Sequence, residues 1–286
     1  MKRRIIGVLV ILFGLSLLLL GTGARVLERV PLPWEVWGRS EVFEHEHYRF
    51  SGVSTVVIRN PVGHVHVIGE DSSEITVRAT RYVRGHDRGR NRKLLDRVEL
   101  SAEVKADRLH LEAAAPLLTN HEGLSVTYHL RVPHGQAVDI EAAIGKVKLE
   151  DLHGPVLVKT DVGSISAANL RGPSGQLLTR LGSITVTDAA VTGAFVLKSS
   201  VGSIRYSGTP GEETEAATEL GSITIDAHGS DRAYELRAHT EMGTIRSRLP
   251  VDGTQSERLL EGTIGSGGAP DGRIDCRTSM GSITLR

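Results

Sequence analysis

Two pairs of histidines are the residues best placed to do chemistry in this chain. His45 and His47 are separated by one residue, and so are His64 and His66. In a strand this spacing puts both imidazoles of a pair on one face, where they can bind a transition metal. Neither pair has a carboxylate or thiolate partner that the sequence identifies. The sequence therefore favours outward-facing histidines and predicts neither a metal site nor a cofactor.

A catalytic centre has little support in the remaining reactive residues. The only cysteine, Cys276, excludes an internal disulfide framework, and its place in the repeat described below predicts a small core residue. Asp188, Asp226 and Asp275 fall at different positions of that repeat, and no nucleophile lies beside a base. The sequence thus predicts no catalytic residues. A polysaccharide-acting β-helix enzyme remains an alternative, which would show two carboxylates within about 10 Å in an open groove.

Basic side chains recur four residues before a set of regularly spaced glycines. On a strand these positions face outward and stack in one row along the molecule, which could contact an anionic envelope polymer. Acidic residues at neighbouring outward positions offer ordinary cross-strand charge pairs as the competing interpretation. The predicted basic row consists of Lys159, Lys198, His239, Arg258 and Arg277.

The elements that would hold these side chains are repeats of a short Gly-Ser-Ile phrase. From Gly163 onwards the glycines are 19, 20, 19, 22, 19 and 19 residues apart. This period is too short for a strand-helix-strand unit and carries alternating apolar residues, so it predicts a β-solenoid with coils of about 19 residues. The predicted turn glycines are Gly63, Gly145, Gly163, Gly182, Gly202, Gly221, Gly243, Gly262 and Gly281.

Two further columns of the repeat predict how the coils stack. An isoleucine follows each glycine from Gly163 onwards by two residues and predicts a buried ladder. Three residues before the glycine, a Thr or Ser takes an inward position, where its hydroxyl can bond to the turn backbone or to the next coil. The coil from 243 to 262 departs from the pattern and is expected to be loose.

The N-terminus predicts export. Three basic residues precede an apolar stretch from Ile5 to Leu20, which orients the rest of the chain across the membrane. Residues 1–24 are predicted to be a signal anchor with a membrane-spanning helix; a signal peptide cleaved after Ala24, giving a secreted form, is the alternative. Residues 25–49 read as a juxtamembrane linker.

The exported part divides into two stretches by pattern. Residues 50–133 predict N-terminal β coils, interrupted at 84–97 by a basic insertion that is either mobile or a short helix. Residues 134–286 form the repeat solenoid. Basic and acidic residues balance at 34 each, so the net charge gives no indication of nucleic-acid binding.

Four sequence features resemble the bacterial "putative adhesin" domain family, a domain of unknown function. They are the segment from Val57 to Val67, the strand ending Leu130-Arg131-Val132-Pro133, the phrase Ile144-Gly145-Lys146-Val147 and the Gly-Ser-Ile series. The resemblance covers roughly residues 50–286. It implies an exported or membrane-anchored β-solenoid, and it brings no catalytic residues with it.

These observations predict an all-β, membrane-tethered, extracytoplasmic solenoid in the periplasm or at the cell surface. We expect a non-catalytic surface, adhesion or scaffold module of the cell envelope. The alternative is an accessory protein that senses envelope stress and acts through a membrane partner. Because the chain ends directly after the strand 283–285, the last coil is expected to lie uncapped at one end, where it could self-associate.

Overall fold

The chain folds into 23 strands and one helix within residues 40–114, 123–228, 232–265 and 269–286, the part that this computed structural model describes. The N-terminal half contains β1 (Ser40–Ser51), β2 (Thr55–Val62), β3 (Val65–Glu70), β4 (Glu74–Gly85), α1 (Arg88–Leu95), β5 (Glu99–Lys105), β6 (Arg108–Ala114), β7 (Gly123–Pro133), β8 (Ala137–Ile144) and β9 (Val147–Glu150). The remainder contains β10 (Val156–Val162), β11 (Ile165–Ala168), β12 (Gly175–Leu181), β13 (Ile184–Ala189), β14 (Ala194–Val201), β15 (Ile204–Gly208), β16 (Glu213–Leu220), β17 (Ile223–Ala227), β18 (Tyr234–Met242), β19 (Ile245–Ser247), β20 (Asp252–Gln255), β21 (Leu259–Ile264), β22 (Gly272–Met280) and β23 (Ile283–Leu285).

Two sheets enclose the core. Sheet A has the order β1-β4-β7-β3-β9-β11-β13-β15-β17-β23-β19, and sheet B has the order β20-β21-β18-β22-β16-β14-β12-β10-β8-β2-β6-β5. Each coil contributes one strand to each sheet, and successive coils pair in parallel and in register. The predicted all-β solenoid is confirmed, with antiparallel strands added at both ends.

The inward columns form one continuous apolar core. Ile165, Ile184, Ile204 and Ile223 pair directly with one another along sheet A, and each is at most 1 % exposed. Phe195 and Leu197 occupy the facing column of sheet B and are also buried. β-branched side chains stacked in this way pack closely on a pleated surface. Because successive side chains of a strand alternate between its two faces, the apolar alternation in the sequence predicted this ladder.

The corner between the two sheets requires glycine. Gly202 has φ +151°, and a Cβ placed on it would lie 2.0 Å from the carbonyl oxygen of Gly182 on the preceding coil. Both the backbone conformation and the close approach of two coils exclude a side chain here. The same relation repeats along the stack and fixes the coil-to-coil contact.

The Thr/Ser column next to the corner bonds to the neighbouring coil, as one of the two predicted arrangements. Ser199 Oγ donates to the Gly182 carbonyl oxygen at 2.9 Å, and Thr218 Oγ1 donates to that of Gly202 at 2.9 Å. These hydroxyls are buried, so each bond offsets the cost of removing a polar group from water.

The N-terminal end differs from the predicted coils. Strands β1, β4 and β7 form an antiparallel edge of sheet A, and β1 uses residues 40–49 of the stretch predicted to be a linker. The basic insertion 84–97 contains helix α1. Asp87 caps it by accepting from Arg90 N at 2.9 Å, Leu95 is buried, and Asn91 Nδ2 donates to the Ser40 carbonyl oxygen at 2.8 Å. The short-helix alternative is therefore the correct one.

The C-terminal coil lies inside the stack rather than at its end. Strand β22 pairs in parallel with β16 on one side and β18 on the other, and β23 pairs with both β17 and β19. The expectation of an uncapped last coil was wrong in this respect: chain order and stacking order differ. The end of sheet B beyond β18 is instead occupied by the antiparallel strands β21 and β20.

Gly262 is not a turn glycine. It lies within β21, where it pairs with Leu236 in antiparallel register. The expected coil from 243 to 262 is replaced by the short strand β19 and the β20–β21 pair, because Pro250 and Gly253 interrupt the alternation that the other coils keep. The predicted looseness thus corresponds to a change of strand direction.

Residues 1–39 lie outside the described residues, and with them the predicted anchor 1–24 and most of the linker. No helix within the described ranges has the length and apolar character needed to cross a membrane.

Candidate functional site

An exposed row of large apolar side chains follows one corner of the solenoid. Each occupies the position directly before a turn, and strand pairing places all of them in one column. They are 40 to 63 % exposed, and seven strands at about 4.8 Å spacing give the row a length of roughly 29 Å. This apolar ridge consists of Ile144, Val162, Leu181, Val201, Leu220, Met280 and Met242.

The ridge is unusual because its members are contiguous. Single exposed apolar residues are normal on protein surfaces, but large apolar side chains stacked in one continuous row mark an interaction surface. In a half-buried strand the alternation would turn such residues inward. Here the glycine that follows each one reverses the chain at the corner, so the side chain stays outside the core.

A shallow groove of about 640 Å³ runs beside the ridge on the face of sheet B. Its floor carries the buried hydroxyls of the Thr/Ser column, and its sides carry charged residues of both signs. Four basic and three acidic side chains line it: Lys159, Arg180, Lys198, Arg277, Asp161, Glu219 and Glu241. The groove is therefore close to electrically neutral.

The structure brings four members of the predicted basic row together and separates the fifth. Lys159, Lys198, Arg277 and His239 occupy one outward column, although Leu178 and Ala217 interrupt it. Arg258 was predicted to belong to this row but does not. It precedes the antiparallel strand β21, and its register follows β21 rather than the parallel coils.

Most of the charge in this row is already compensated. Arg277 Nη2 lies 2.6 Å from Asp275 Oδ2, and its Nε donates to Asp275 Oδ1 at 2.8 Å. Lys198 Nζ lies 2.8 Å from Glu215 Oε2. Among the described residues, Lys159 has no carboxylate within 4.0 Å. One cross-strand pair and one pair within β22 thus neutralise much of the row, and an anion would have to compete with these carboxylates.

His45, His47 and His66 lie on strands of sheet A, whereas His64 lies in the corner directly before β3. His45 Nδ1 is 2.9 Å from Thr80 Oγ1, and His64 Nδ1 accepts from Lys146 N at 3.1 Å. His66 Nε2 lies 2.5 Å from Glu150 Oε2. Within the described residues, no group of three His, Cys, Asp or Glu side chains is arranged to hold a metal ion.

The other candidate reactive groups have structural roles. Cys276 is fully buried, and this burial raises the pKa of its thiol to about 12. Asp188 accepts from Arg171 at 3.0 Å, and Asp275 is bound by Arg273 and Arg277. These contacts hold both carboxylates in ion pairs, that of Asp188 exposed and that of Asp275 largely buried.

Sequence reasoning missed the apolar ridge, although its signal is present in the repeat. The residue before each turn glycine is Val, Leu, Ile or Met in most copies. Strand alternation alone does not indicate that the corner exposes the residue before the glycine; the positive φ of that glycine does.

The fold and the ridge define a class, a parallel β-solenoid whose coils repeat an exposed apolar row. The chain belongs to the Toastrack DUF4097 family, whose model matches residues 53–286, and this confirms the resemblance drawn from the motifs. No curated protein sequence matches the chain.

Several solved structures are similar to this chain. A "putative adhesin" from Bacteroides fragilis is 14 % identical, with a TM-score of 0.47 over 86 % of this chain and 98 % of its own. A "putative adhesin" from Parabacteroides distasonis is 13 % identical, with a TM-score of 0.42 over 85 % and 97 %. A "putative cell adhesion protein" from Clostridium sporogenes is 10 % identical, with a TM-score of 0.40 over 85 % and 99 %.

Proposed function

We propose that this protein is a non-catalytic surface, adhesion or scaffold module of the cell envelope, and that it holds its partner along the apolar ridge and the adjacent groove. The observation that carries the proposal is the ridge itself: seven exposed apolar side chains in strict register. A surface that repeats at every coil suits an extended partner lying across the coils, because each coil can then make the same contact.

The proposal places the chain outside the cytoplasm and tethered by residues 1–24. The basic residues before Ile5 and the apolar stretch to Leu20 support this location. Mass spectrometry of the protein purified from its own cells tests the tether. A mature N-terminus at Arg25 would show that the segment is cleaved and would favour the secreted form over the anchored one.

The ridge carries more of the expected contact than the basic row does. Apolar surface gains roughly 25 cal/mol for each Å² removed from water, and high salt does not weaken it. The basic row is partly neutralised by Glu215 and Asp275, and its remaining attraction for an anionic polymer would be screened by salt. We therefore expect the partner to remain bound to the protein at high salt.

A second candidate follows from the same apolar character. A ridge of this kind also suits a membrane protein partner, through which the chain would act as an accessory protein in envelope-stress regulation. In this case one protein, rather than a polymer, would be recovered on the ridge.

The test is a pull-down with residues 25–286 against envelope polymers and detergent-solubilised membrane proteins, at low and high salt. The variant L181S/V201S interrupts the middle of the ridge, and V104S removes an isolated exposed valine on β5 as the matched control. We expect L181S/V201S to lose retention and V104S to keep it. Recovery of a single membrane protein would favour the regulatory candidate, and equal retention by both variants would refute the ridge as the contact surface.

A further inference from the structure

A second groove, of about 760 Å³, lies on the outer face of sheet A near its N-terminal end. Four strands, β1, β4, β7 and β3, place two adjacent rows of side chains there. His47 pairs with Arg78, Arg78 with His129, and His129 with His66. In the next row, Arg49 and Arg131 both pair with Thr76. We name this surface the arginine–histidine groove; its ionisable residues are His47, Arg49, His66, Arg78, His129 and Arg131.

Among the residues that the structure describes, no Asp or Glu lines this groove, whereas the groove beside the apolar ridge carries both signs. Three arginines give it a formal charge of +3 before any histidine is protonated. The carboxylates of β1 at Glu44 and Glu46 face the opposite side of the sheet, where both contact Arg81 Nη2 at 2.8 Å. They are thus engaged on the other face.

Two groups at the margin have partners. Arg131 Nη1 lies 3.0 Å from Glu70 Oε2, and Glu150 pairs with His66 at the border towards β9. In contrast, Arg49 and Arg78 have no carboxylate within 4.0 Å among the described residues. Two guanidinium groups are therefore left to bind something from outside.

The lowered pKa of His129 is consistent with the positive charge of this groove. Burial lowers the pKa of its imidazole, and the neighbouring charges of Arg78 and His66 lower it further. The rings of His66 and His129 stand 5.5 Å apart, edge to face. The positive charges of Arg49 and Arg78 have no carboxylate to offset them among the described residues, and a bound anion would supply that offset.

We propose that the arginine–histidine groove binds phosphate esters. Guanidinium groups match phosphate oxygens with two parallel N–H donors, and imidazoles at the rim add further donors. The volume exceeds what a single phosphate needs, so the groove suits a group carrying further atoms, such as a phosphodiester polymer or a phospholipid headgroup. Both sources present the same oxyanion.

Calorimetric titration of the full-length chain with inorganic pyrophosphate tests the proposal. We expect binding that weakens with added salt, and a loss of about tenfold or more in affinity for R78Q and for R49Q. The matched control is R205Q, which removes an exposed arginine from the same outward row of sheet A, four strands beyond β3. Unchanged affinity in R78Q and R49Q, or no binding by the unaltered chain, would overturn the proposal.

Vesicle sedimentation distinguishes the two sources. The full-length chain is sedimented with vesicles of phosphatidylglycerol and, separately, of phosphatidylcholine. The N-terminal segment is present in both samples, so only the difference in sedimentation between the two lipids is interpreted. Preference for phosphatidylglycerol that R78Q loses and pyrophosphate competes away identifies a lipid headgroup. Pyrophosphate binding with equal sedimentation on both vesicles identifies a soluble phosphate polymer. Vesicle preference that R78Q retains would assign it to another surface and contradict this site.

Discussion

Replacing Gly202 with alanine tests whether the corner glycines set the spacing between coils. The new Cβ would lie 2.0 Å from the Gly182 carbonyl oxygen and 2.5 Å from its carbonyl carbon. Real Cβ atoms do not approach backbone so closely, and the atoms in question belong to the neighbouring coil. The coils would have to separate locally, which lengthens the adjacent Ser199 and Thr218 hydrogen bonds at the same corner.

The expected cost has two parts. An L-residue at φ +151° costs about 1 to 3 kcal/mol of backbone strain, and forcing extra volume against the next coil costs about 1 to 3 kcal/mol more. We therefore expect G202A to lower the free energy of unfolding by about 2 to 6 kcal/mol. Two other glycines separate these parts: Gly52 has φ +68° with no described atom within 4 Å of its Cβ position, and Gly135 has the same open space without a positive φ.

Urea unfolding followed by far-ultraviolet circular dichroism measures the three variants. G135A should match the unaltered chain, G52A should lose about 1 kcal/mol from strain alone, and G202A should lose the most. Because solenoid coils contact only their neighbours, G202A is also expected to lower the m-value by unfolding part of the stack first. A G202A midpoint equal to that of G52A would refute the coil-to-coil clash.

Three further results are expected. T218V should lower the free energy of unfolding in urea by about 1 to 2 kcal/mol, because it leaves a corner carbonyl without its donor. T160V should be neutral or stabilising, because the buried hydroxyl that it removes has no partner among the described residues. Equal losses in the two variants would contradict the hydroxyl ladder. A hydrogen bond from a lysine, and a smaller effect from a histidine hydrogen bond, lower the pKa of Glu150, so the ionised carboxylate stabilises the fold above the unfolded pKa near 4.5 and this stabilisation disappears as the pH falls. E150Q should therefore show a smaller drop in urea midpoint between pH 6 and pH 3 than the unaltered chain. An identical drop would refute this contribution of Glu150. Cys276 should resist a thiol reagent at pH 8 until urea unfolds the chain, so rapid labelling of the folded protein would contradict its burial.

The coil architecture could be predicted from the sequence because every coil repeats the same local requirements. Alternating Ile and Val columns, one glycine per corner and an inward hydroxyl are short-range signals, and each copy repeats them. The repeat therefore indicated the sheet faces and the hydroxyl ladder before any long-range pairing was known.

The order of the stack could not be predicted in the same way. Met280 pairs with both Leu220 and Met242, so the last coil separates two coils that are consecutive in the chain. Parallel coils with nearly identical columns accept one another in any order, and only tertiary packing selects one. Arg258 and Gly262 were misplaced for a different reason: their spacing fits the repeat, but β21 runs antiparallel to the neighbouring coil.

The arginine–histidine groove depends on pairing of still longer range. Arg49, Arg78 and Arg131 come from three strands that meet antiparallel, and the last arginine lies 82 positions after the first. Their individual positions carry no motif. Only the register of β1, β4 and β7 brings their charges to one face.

The internal position of the C-terminal coil has a consequence for the order of assembly. During synthesis the coil of β18 and β19 emerges before β22 and β23, which are its parallel neighbours among the described strands. The two parts of the stack must stay apart, or separate again, to admit the last 15 residues. A truncation before Gly272 would thus leave an unfilled gap in the middle of the stack and expose the edges of both sheets on either side of it.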